Sequence, residues 1–153
     1  MQPKEHDHHG IAHSARLVEE EQRRLLAPLG IHPRQARVLM AMKHMAPVSQ
    51  TELAAAVGIS PAGMSTMTDR LLAAGFITRR QDPALRRRNV LELTPQGLAK
   101  LDAISAVWCA VDDRIRDALG AEDAETLFRL ARRLRRALGG EPPGTPAEPS
   151  GEA

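Results

Sequence analysis

The chain has 153 residues, of which 42% are hydrophobic, 26% are charged and only 2% are aromatic. This length suits one domain with flanking arms, and a core of Leu, Ala, Val, Ile and Met with so few aromatic residues favours packed helices and excludes a large all-β fold. The net charge of +2 conceals two blocks of five arginines each, in residues 79–88 and 129–136. Such basic blocks are typical of proteins that bind nucleic acid.

The two ends of the chain have the composition of mobile segments. Residues 1–10 are polar and rich in histidine, which predicts a mobile arm and does not resemble a secretory signal. Residues 139–153 are acidic and rich in Pro and Gly, which predicts a disordered tail. With one cysteine and no apolar run that matches a bilayer, we expect no intrachain disulfide and a cytoplasmic protein.

Two helices are predicted in the first third of the chain. Between residues 11 and 27, apolar side chains recur every three or four positions, and Pro28 and Gly30 end this pattern. Pro33 suits the first turn of a second helix, which ends before Pro47.

A helix-turn-helix is predicted next. The segment Ser49–Glu52 is a capping-box sequence that opens a short third helix, and Gly58 suits its C-terminal end. Ser60 and Pro61 open a fourth helix as its N-cap and first residue, and Gly75 ends it.

A basic hairpin is predicted directly after the fourth helix. The runs Phe76–Thr78 and Val90–Leu93 have strand character, and the turn between them is centred on Asp82-Pro83. Five arginines crowd into residues 79–88. A short helix, a Gly-containing turn, a second helix and a basic hairpin, in this order, predict a winged helix-turn-helix.

Two longer helices are predicted after the hairpin. Thr94-Pro95 opens a fifth helix, whose apolar positions recur at helical spacing as far as Leu119 and which Gly120 ends. The sixth helix ends at Gly139-Gly140 and carries four leucines on one stripe. These are Leu127, Leu130, Leu134 and Leu138.

The winged lobe contains two groups of candidate DNA contacts. The start of the fourth helix offers small side chains and hydroxyl groups that allow close approach to base edges and phosphates in a major groove, although capping alone also explains Ser60. The arginines of the hairpin repel one another, and the negative potential of a minor groove would favour them there. The predicted DNA-binding residues are Ser60, Ala62, Gly63, Ser65, Thr66, Arg70, Arg86, Arg87 and Arg88.

Six short motifs resemble the MarR family of transcription regulators, and residues 11–138 follow the family's helix order. The motifs are Pro33–Leu39, Ser49–Ala54, Thr68–Arg79, Asp82-Pro83, Arg86-Arg87 and Leu93–Gly97. The resemblance implies a mainly α fold with a small β-hairpin, in which a DNA-binding lobe at about residues 33–93 joins dimerisation helices at about residues 11–27 and 95–138. It also implies a homodimer that binds a pseudo-palindromic operator in double-stranded DNA.

The resemblance assigns roles to two residues of the lobe and shows one departure from the family pattern. Arg87 would be the arginine at the tip of the wing, and Asp69 would be the helix carboxylate that pairs with a wing arginine and positions the wing. The family usually has Asp at the position of Leu85. Loss of that carboxylate leaves the wing more basic and puts its internal ion pairs in doubt.

The family usually releases DNA when a small phenolic or aromatic carboxylate binds between the dimerisation helices and the DNA lobe. The resemblance therefore predicts a repressor that a small aromatic effector releases from its operator. Met40 and Trp108 also fit a plain core, and His13 also fits a solvated helix surface. The candidate effector contacts are His13, Arg16, Leu17, Arg37, Met40, Met42, His44 and Trp108.

The same fold could also serve metal sensing, redox sensing or architectural DNA binding. His6, His8, His9 and His13 are candidate metal ligands, although they have no second ligand cluster at suitable spacing. Cys109 follows Trp108 in an apolar helix, so we expect a buried and inert thiol rather than a redox sensor. An architectural DNA-binding module without an effector is a further alternative. No enzyme motif and no cofactor-binding motif is present, so we expect neither catalysis nor a cofactor.

Overall fold

A computed structural model describes residues 6–140, which form six α-helices and one two-stranded antiparallel hairpin. A short 3₁₀ helix, Ala27–Leu29, follows the first α-helix. This architecture confirms the predicted mainly α fold with a small β-hairpin. The elements are α1 (Asp7–Leu26), α2 (Pro33–Met45), α3 (Gln50–Val57), α4 (Pro61–Ala73), β1 (Ile77–Gln81), β2 (Asn89–Leu93), α5 (Pro95–Leu119) and α6 (Ala121–Ala137).

The predicted boundary between the N-terminal arm and the first helix is wrong. Helix α1 begins at Asp7, so residues 7–10 are helical rather than part of a mobile arm. The Asp7 carboxylate lies in the first turn, where it interacts favourably with the positive end of the helix dipole. Residues 1–5 of the predicted arm and residues 141–153 of the predicted tail lie outside the described residues.

The predicted helix ends of the helix-turn-helix are confirmed. The Ser49 hydroxyl accepts a hydrogen bond from the Glu52 amide at 3.2 Å, and the Glu52 carboxylate accepts one from the Ser49 amide at 3.1 Å. Gly58 ends α3 with a φ of 66°, a left-handed conformation that glycine adopts without steric cost. The Ser60 hydroxyl caps α4.

The core of the lobe lies between α2, α3, α4 and the hairpin. Leu39, Leu53, Met64 and Leu71 are fully buried there. Val48 pairs with Leu91 of β2 through an isolated antiparallel bridge, with N–O distances of 3.2 and 2.7 Å. This bridge fixes the hairpin to the connection between α2 and α3.

Leu26 of α1 and Leu101 and Ile104 of α5 complete this core, while α1, α5 and α6 also leave apolar side chains uncovered. Leu26 is the one buried residue of α1, and Ala124 is the one buried residue of α6. Glu21 of α1 pairs with Arg114 of α5 at 2.8 Å. Between 45% and 78% of each of the four leucines on the α6 stripe is exposed. Among residues 6–140, no helix is both long enough and apolar enough to cross a membrane.

Candidate nucleic-acid interface

The first two turns of α4 present a surface of small exposed residues. Ala62, Gly63, Ser65 and Thr66 are all exposed. The Ser60 hydroxyl accepts a hydrogen bond from the Gly63 amide at 3.1 Å. The Thr66 hydroxyl donates one to the Ala62 carbonyl at 3.3 Å, so its lone pairs stay available as acceptors. This surface can approach base edges closely, as the sequence predicts for a recognition helix.

The wing, residues 77–93, is longer and more ordered at its tip than the sequence indicates. Strand β1 extends to Gln81, three residues beyond the predicted strand, because Arg79, Arg80 and Gln81 all pair across the hairpin. At the tip, the Asp82 amide donates to the Arg88 carbonyl at 2.7 Å, and the Arg88 amide donates to the Leu85 carbonyl at 2.8 Å.

The five arginines of the wing fall into two groups. Arg79 donates to the Gln50 side chain of α3 at 3.3 Å, Arg80 forms a two-bond pair with Glu92 at 2.6 and 2.7 Å, and Arg88 pairs with Glu52 at 2.5 Å. Arg86 and Arg87 are exposed and make no ion pair with any residue that the structure describes. Their charges are therefore available to DNA phosphates.

Glu52 joins α3 to the wing. Its carboxylate accepts the Ser49 amide in the capping box and also contacts the Arg88 guanidinium at 2.5 Å. The Ser49 amide, and after it the Arg88 guanidinium, hold the pKa of Glu52 below its usual value. Asp82 lies 4.0 Å from the Arg88 Nε on the other side. The Arg88 guanidinium thus lies near two carboxylates, and the one from α3 ties the wing to that helix.

The predicted role of Asp69 is wrong. Asp69 is exposed on α4 and pairs with no wing arginine among residues 6–140. The helix carboxylate that contacts the wing is Glu52 instead. Its role was missed because the capping box already accounts for a glutamate at that position. Arg88, which was predicted to contact DNA together with Arg86 and Arg87, differs from these two because it pairs with Glu52 and lies near Asp82.

A cavity of about 500 Å³ lies between α1, α2 and α5. Four predicted effector contacts line it, and these are Arg37, Met40, His44 and Trp108. His13, Arg16 and Leu17 are not among its lining residues, and Met42 is fully buried in the core. The lining residues that sequence reasoning missed are Val18, Gln22, Ala41, Val111, Asp112 and Ile115. They come from three helices whose meeting the sequence does not specify.

The expected burial of Cys109 is wrong, because its side chain is exposed. Leu101, Ile104 and Val111 form the buried side of α5. One residue turns a helix by about 100°, so the residue after the half-buried Trp108 lies away from that side.

The N-terminal histidines lie close together. The ring centroids of His8 and His9 are 4.2 Å apart, and that of His6 lies 5.8 and 5.7 Å from these two. Nevertheless, the part of the chain from residue 6 to residue 140 contains no group of three or more His, Cys, Asp or Glu side chains arranged to hold a metal ion.

Comparison with known proteins places this geometry in a family. A profile of the MarR family matches residues 29–88. The HTH-type transcriptional regulator BilQ of Clostridium symbiosum is 33% identical over 86 residues, which are 56% of this chain and 60% of BilQ. An uncharacterised HTH-type transcriptional regulator of Bacillus cereus is 30% identical over 103 residues, which are 67% of this chain and 68% of that protein. The chain thus spans less than two thirds of the length of BilQ.

A solved structure supports the same assignment. The transcriptional repressor CouR, bound to a 23-mer DNA duplex, superposes with a TM-score of 0.76 at 26% identity, over 83% of this chain and 90% of CouR. Fold and site together define a winged helix-turn-helix protein of the DNA-binding class. The chain belongs to the MarR family. This is a family of DNA-binding transcription regulators.

Proposed function

We propose that this protein is a homodimeric repressor that binds a pseudo-palindromic operator and leaves it when a small aromatic or phenolic effector binds. The observation that carries the DNA-binding part is the division of the wing arginines. Arg79, Arg80 and Arg88 are held by the fold, whereas Arg86 and Arg87 make no ion pair within residues 6–140. The arginines supply affinity through phosphates and the minor groove, and Ser60–Thr66 supply selectivity through base edges. The relatives named as repressors, such as CouR, favour repression.

The proposed dimer is supported by the apolar residues that the chain leaves uncovered. Leu127, Leu130, Leu134 and Leu138 form an exposed stripe along α6, and Ile11 and Leu119 are 59% and 47% exposed on α1 and α5. Contiguous apolar patches of this kind mark interaction surfaces. We assign dimerisation to helices α1, α5 and α6, and DNA binding to the lobe at about residues 33–93.

The proposed effector site is the cavity between α1, α2 and α5. Met40, Trp108, Val111 and Ile115 provide an apolar lining for an aromatic ring, and Arg37 and His44 provide polar groups for a phenol or carboxylate. The cavity touches both the DNA lobe, through α2, and the proposed dimerisation helices, through α1 and α5. A ligand there can shift the equilibrium between two arrangements of the lobes only if it binds one of them more tightly.

The DNA-binding proposal is tested with Arg87→Ala. We expect this variant to bind DNA more weakly by about 1–3 kcal/mol per subunit while it remains a dimer. Arg16→Ala is the matched control, since Arg16 is an exposed arginine of α1 outside the lobe. Fluorescence anisotropy with a labelled duplex gives the affinities. Equal affinity of Arg87→Ala and the parent would refute the proposed role of the wing.

The effector proposal has a direct optical readout. Trp108 is the single tryptophan of the chain and lines the cavity. A phenol or aromatic carboxylate that binds there should change its fluorescence and release the duplex over the same concentration range. Arg37→Ala should weaken both effects for an anionic ligand. A compound that releases DNA without any change in Trp108 emission would place the effector site elsewhere.

A further inference from the structure

A second concave surface lies on the other side of the lobe, against the flank of α4. This basic cleft has a volume of about 540 Å³, and its walls come from α1, α2 and α4. The lining residues are Glu19, Arg23, His32, Arg34, Gln35, Gly63, Thr66, Met67 and Arg70. Gly63, Thr66 and Arg70 belong to the helix surface that sequence analysis predicts to contact DNA. One wall of the cleft is therefore the side of the proposed recognition helix.

The basic cleft carries an excess of positive charge. Arg23, Arg34 and Arg70 are exposed, and none of them forms an ion pair with a residue in the described range 6–140. Glu19 is the one carboxylate of the lining. By contrast, the neighbouring Arg24 is bound by Glu21 at 2.6 Å. Three arginines against one carboxylate in the lining favour an oxyanion, and the planar guanidinium is well suited to bind phosphate.

We propose that the basic cleft binds a backbone phosphate of the DNA strand that borders the recognition helix. This inference rests on the proposed DNA-binding function and adds Arg23 and Arg34 to its contacts. A major groove about 12 Å wide holds a helix between two phosphate strands. With α4 in the groove, the residues beside its flank face one of these strands. Arg23 and Arg34 then fix the position of the lobe along the duplex, because phosphate contacts set orientation.

The salt dependence of DNA affinity counts phosphate contacts and so tests the proposal. The variants are Arg23→Gln and Arg34→Gln combined, with Arg24→Gln as a control that removes the same kind of charge from the next position on α1. Anisotropy of a 24-base-pair duplex is measured between 50 and 200 mM NaCl. We expect the double variant to reduce the steepness of log K against log salt by about 0.9 per phosphate, or about 1.8 per dimer. The control should keep the slope of the parent.

Neutral methylphosphonates, placed at one backbone position at a time, locate the contact. The parent should bind less tightly when the methylphosphonate stands at one flanking position in each half-site. The affinity of the double variant should not change when the methylphosphonate stands at that position. A slope equal to that of Arg24→Gln would overturn the proposal and leave the DNA-binding function intact. Thermal stabilisation of the parent by millimolar inorganic phosphate, without any change of slope in the double variant, would also overturn it by indicating a site for free anions. A parent that binds no duplex would refute the proposed function itself.

Discussion

At the scale of single residues, the junction between the hairpin and α5 shows why Thr94 and Gly97 occur three residues apart. The Thr94 hydroxyl donates to the Gly75 carbonyl at 2.6 Å and accepts from the Gly97 amide at 3.0 Å. The Phe76 carbonyl comes so close to Gly97 that a Cβ atom there would lie 2.0 Å from its oxygen. Only glycine allows this approach, which joins the end of α4 to the start of α5.

Gly97→Ala should therefore destabilise the protein. The added methyl group meets a backbone oxygen rather than a flexible side chain, so we expect a loss of about 1–3 kcal/mol in the free energy of unfolding. Gly10→Ala is the control, because its methyl group would meet nothing within 4 Å on helix α1. There alanine should be neutral or stabilising by up to about 1 kcal/mol. Urea denaturation measures both, and equal midpoints for the two variants would contradict the account.

At the scale of elements, one ion pair connects the helix-turn-helix to the wing. Glu52 is the third residue of α3, and Arg88 directly precedes β2. Their ion pair fixes the orientation of the wing relative to the helix-turn-helix. Leu85, which stands where the family usually has Asp, is 57% exposed at the tip and offers no carboxylate. Asp82 and Glu52 supply the missing negative charge. The pair exists because the tertiary structure brings α3 against the tip of the wing, which local sequence patterns do not specify.

The variant Glu52→Gln isolates this connection, since glutamine preserves the capping box and removes the charge. We expect Arg88→Gln to weaken DNA binding in the parent but not in Glu52→Gln, with a coupling of about 0.5–1 kcal/mol, as exposed ion pairs give. Hydrogen exchange at the Asp82 and Arg88 amides should become faster in both single variants. Glu125→Gln, which breaks a pair with Arg116 far from the wing, is the control.

A different result would reassign Arg88. If Arg88→Gln lowers the salt slope by about 0.9 per subunit and its effect adds to that of Glu52→Gln, Arg88 contacts a phosphate directly. It would then belong with Arg86 and Arg87, as the sequence alone predicts.

At the scale of the whole molecule, the described residues form one buried core, and the helices around it leave apolar side chains exposed. The core residues Leu39, Leu53 and Leu71 are fully buried, whereas Leu130 and Leu134 of α6 are 46% and 45% exposed. Fully burying an exposed leucine contributes about 1.5–3 kcal/mol. Leu127, Leu130 and Leu134 are already about half covered, so each would contribute only part of this on association, and the stripe as a whole still favours pairing. Two-fold pairing of these helices would place two winged lobes on one duplex.

Replacing Leu130 and Leu134 together by Asp should abolish the dimer and operator binding. The substitution puts two charges into the proposed interface, where desolvation opposes association. Arg129→Asp, on another side of α6, is the control and should stay dimeric. Sedimentation velocity reports the mass and circular dichroism reports the helix content. A folded monomer that binds an operator as tightly as the parent would contradict the dimer proposal.

The sequence predicted local structure well because its determinants are local. The Ser49–Glu52 capping box, Gly58 and the Ser60 cap each act within one turn of helix, and all three are found as predicted. Three features depend on how elements meet and could not be read in this way. They are the pairing of Glu52 with Arg88, the set of residues around the cavity, and the exposure of Cys109. Periodicity identifies an apolar stripe but not what covers it.

A mobility shift shows whether two winged lobes bind DNA selectively. The purified protein is mixed with DNA from upstream of its own coding sequence, and with a scrambled duplex of equal length, at physiological salt with excess competitor. We predict retardation of the upstream duplex alone, with a footprint of two half-sites about ten base pairs apart. Equal retardation of both duplexes would contradict selective binding and indicate an architectural DNA-binding protein.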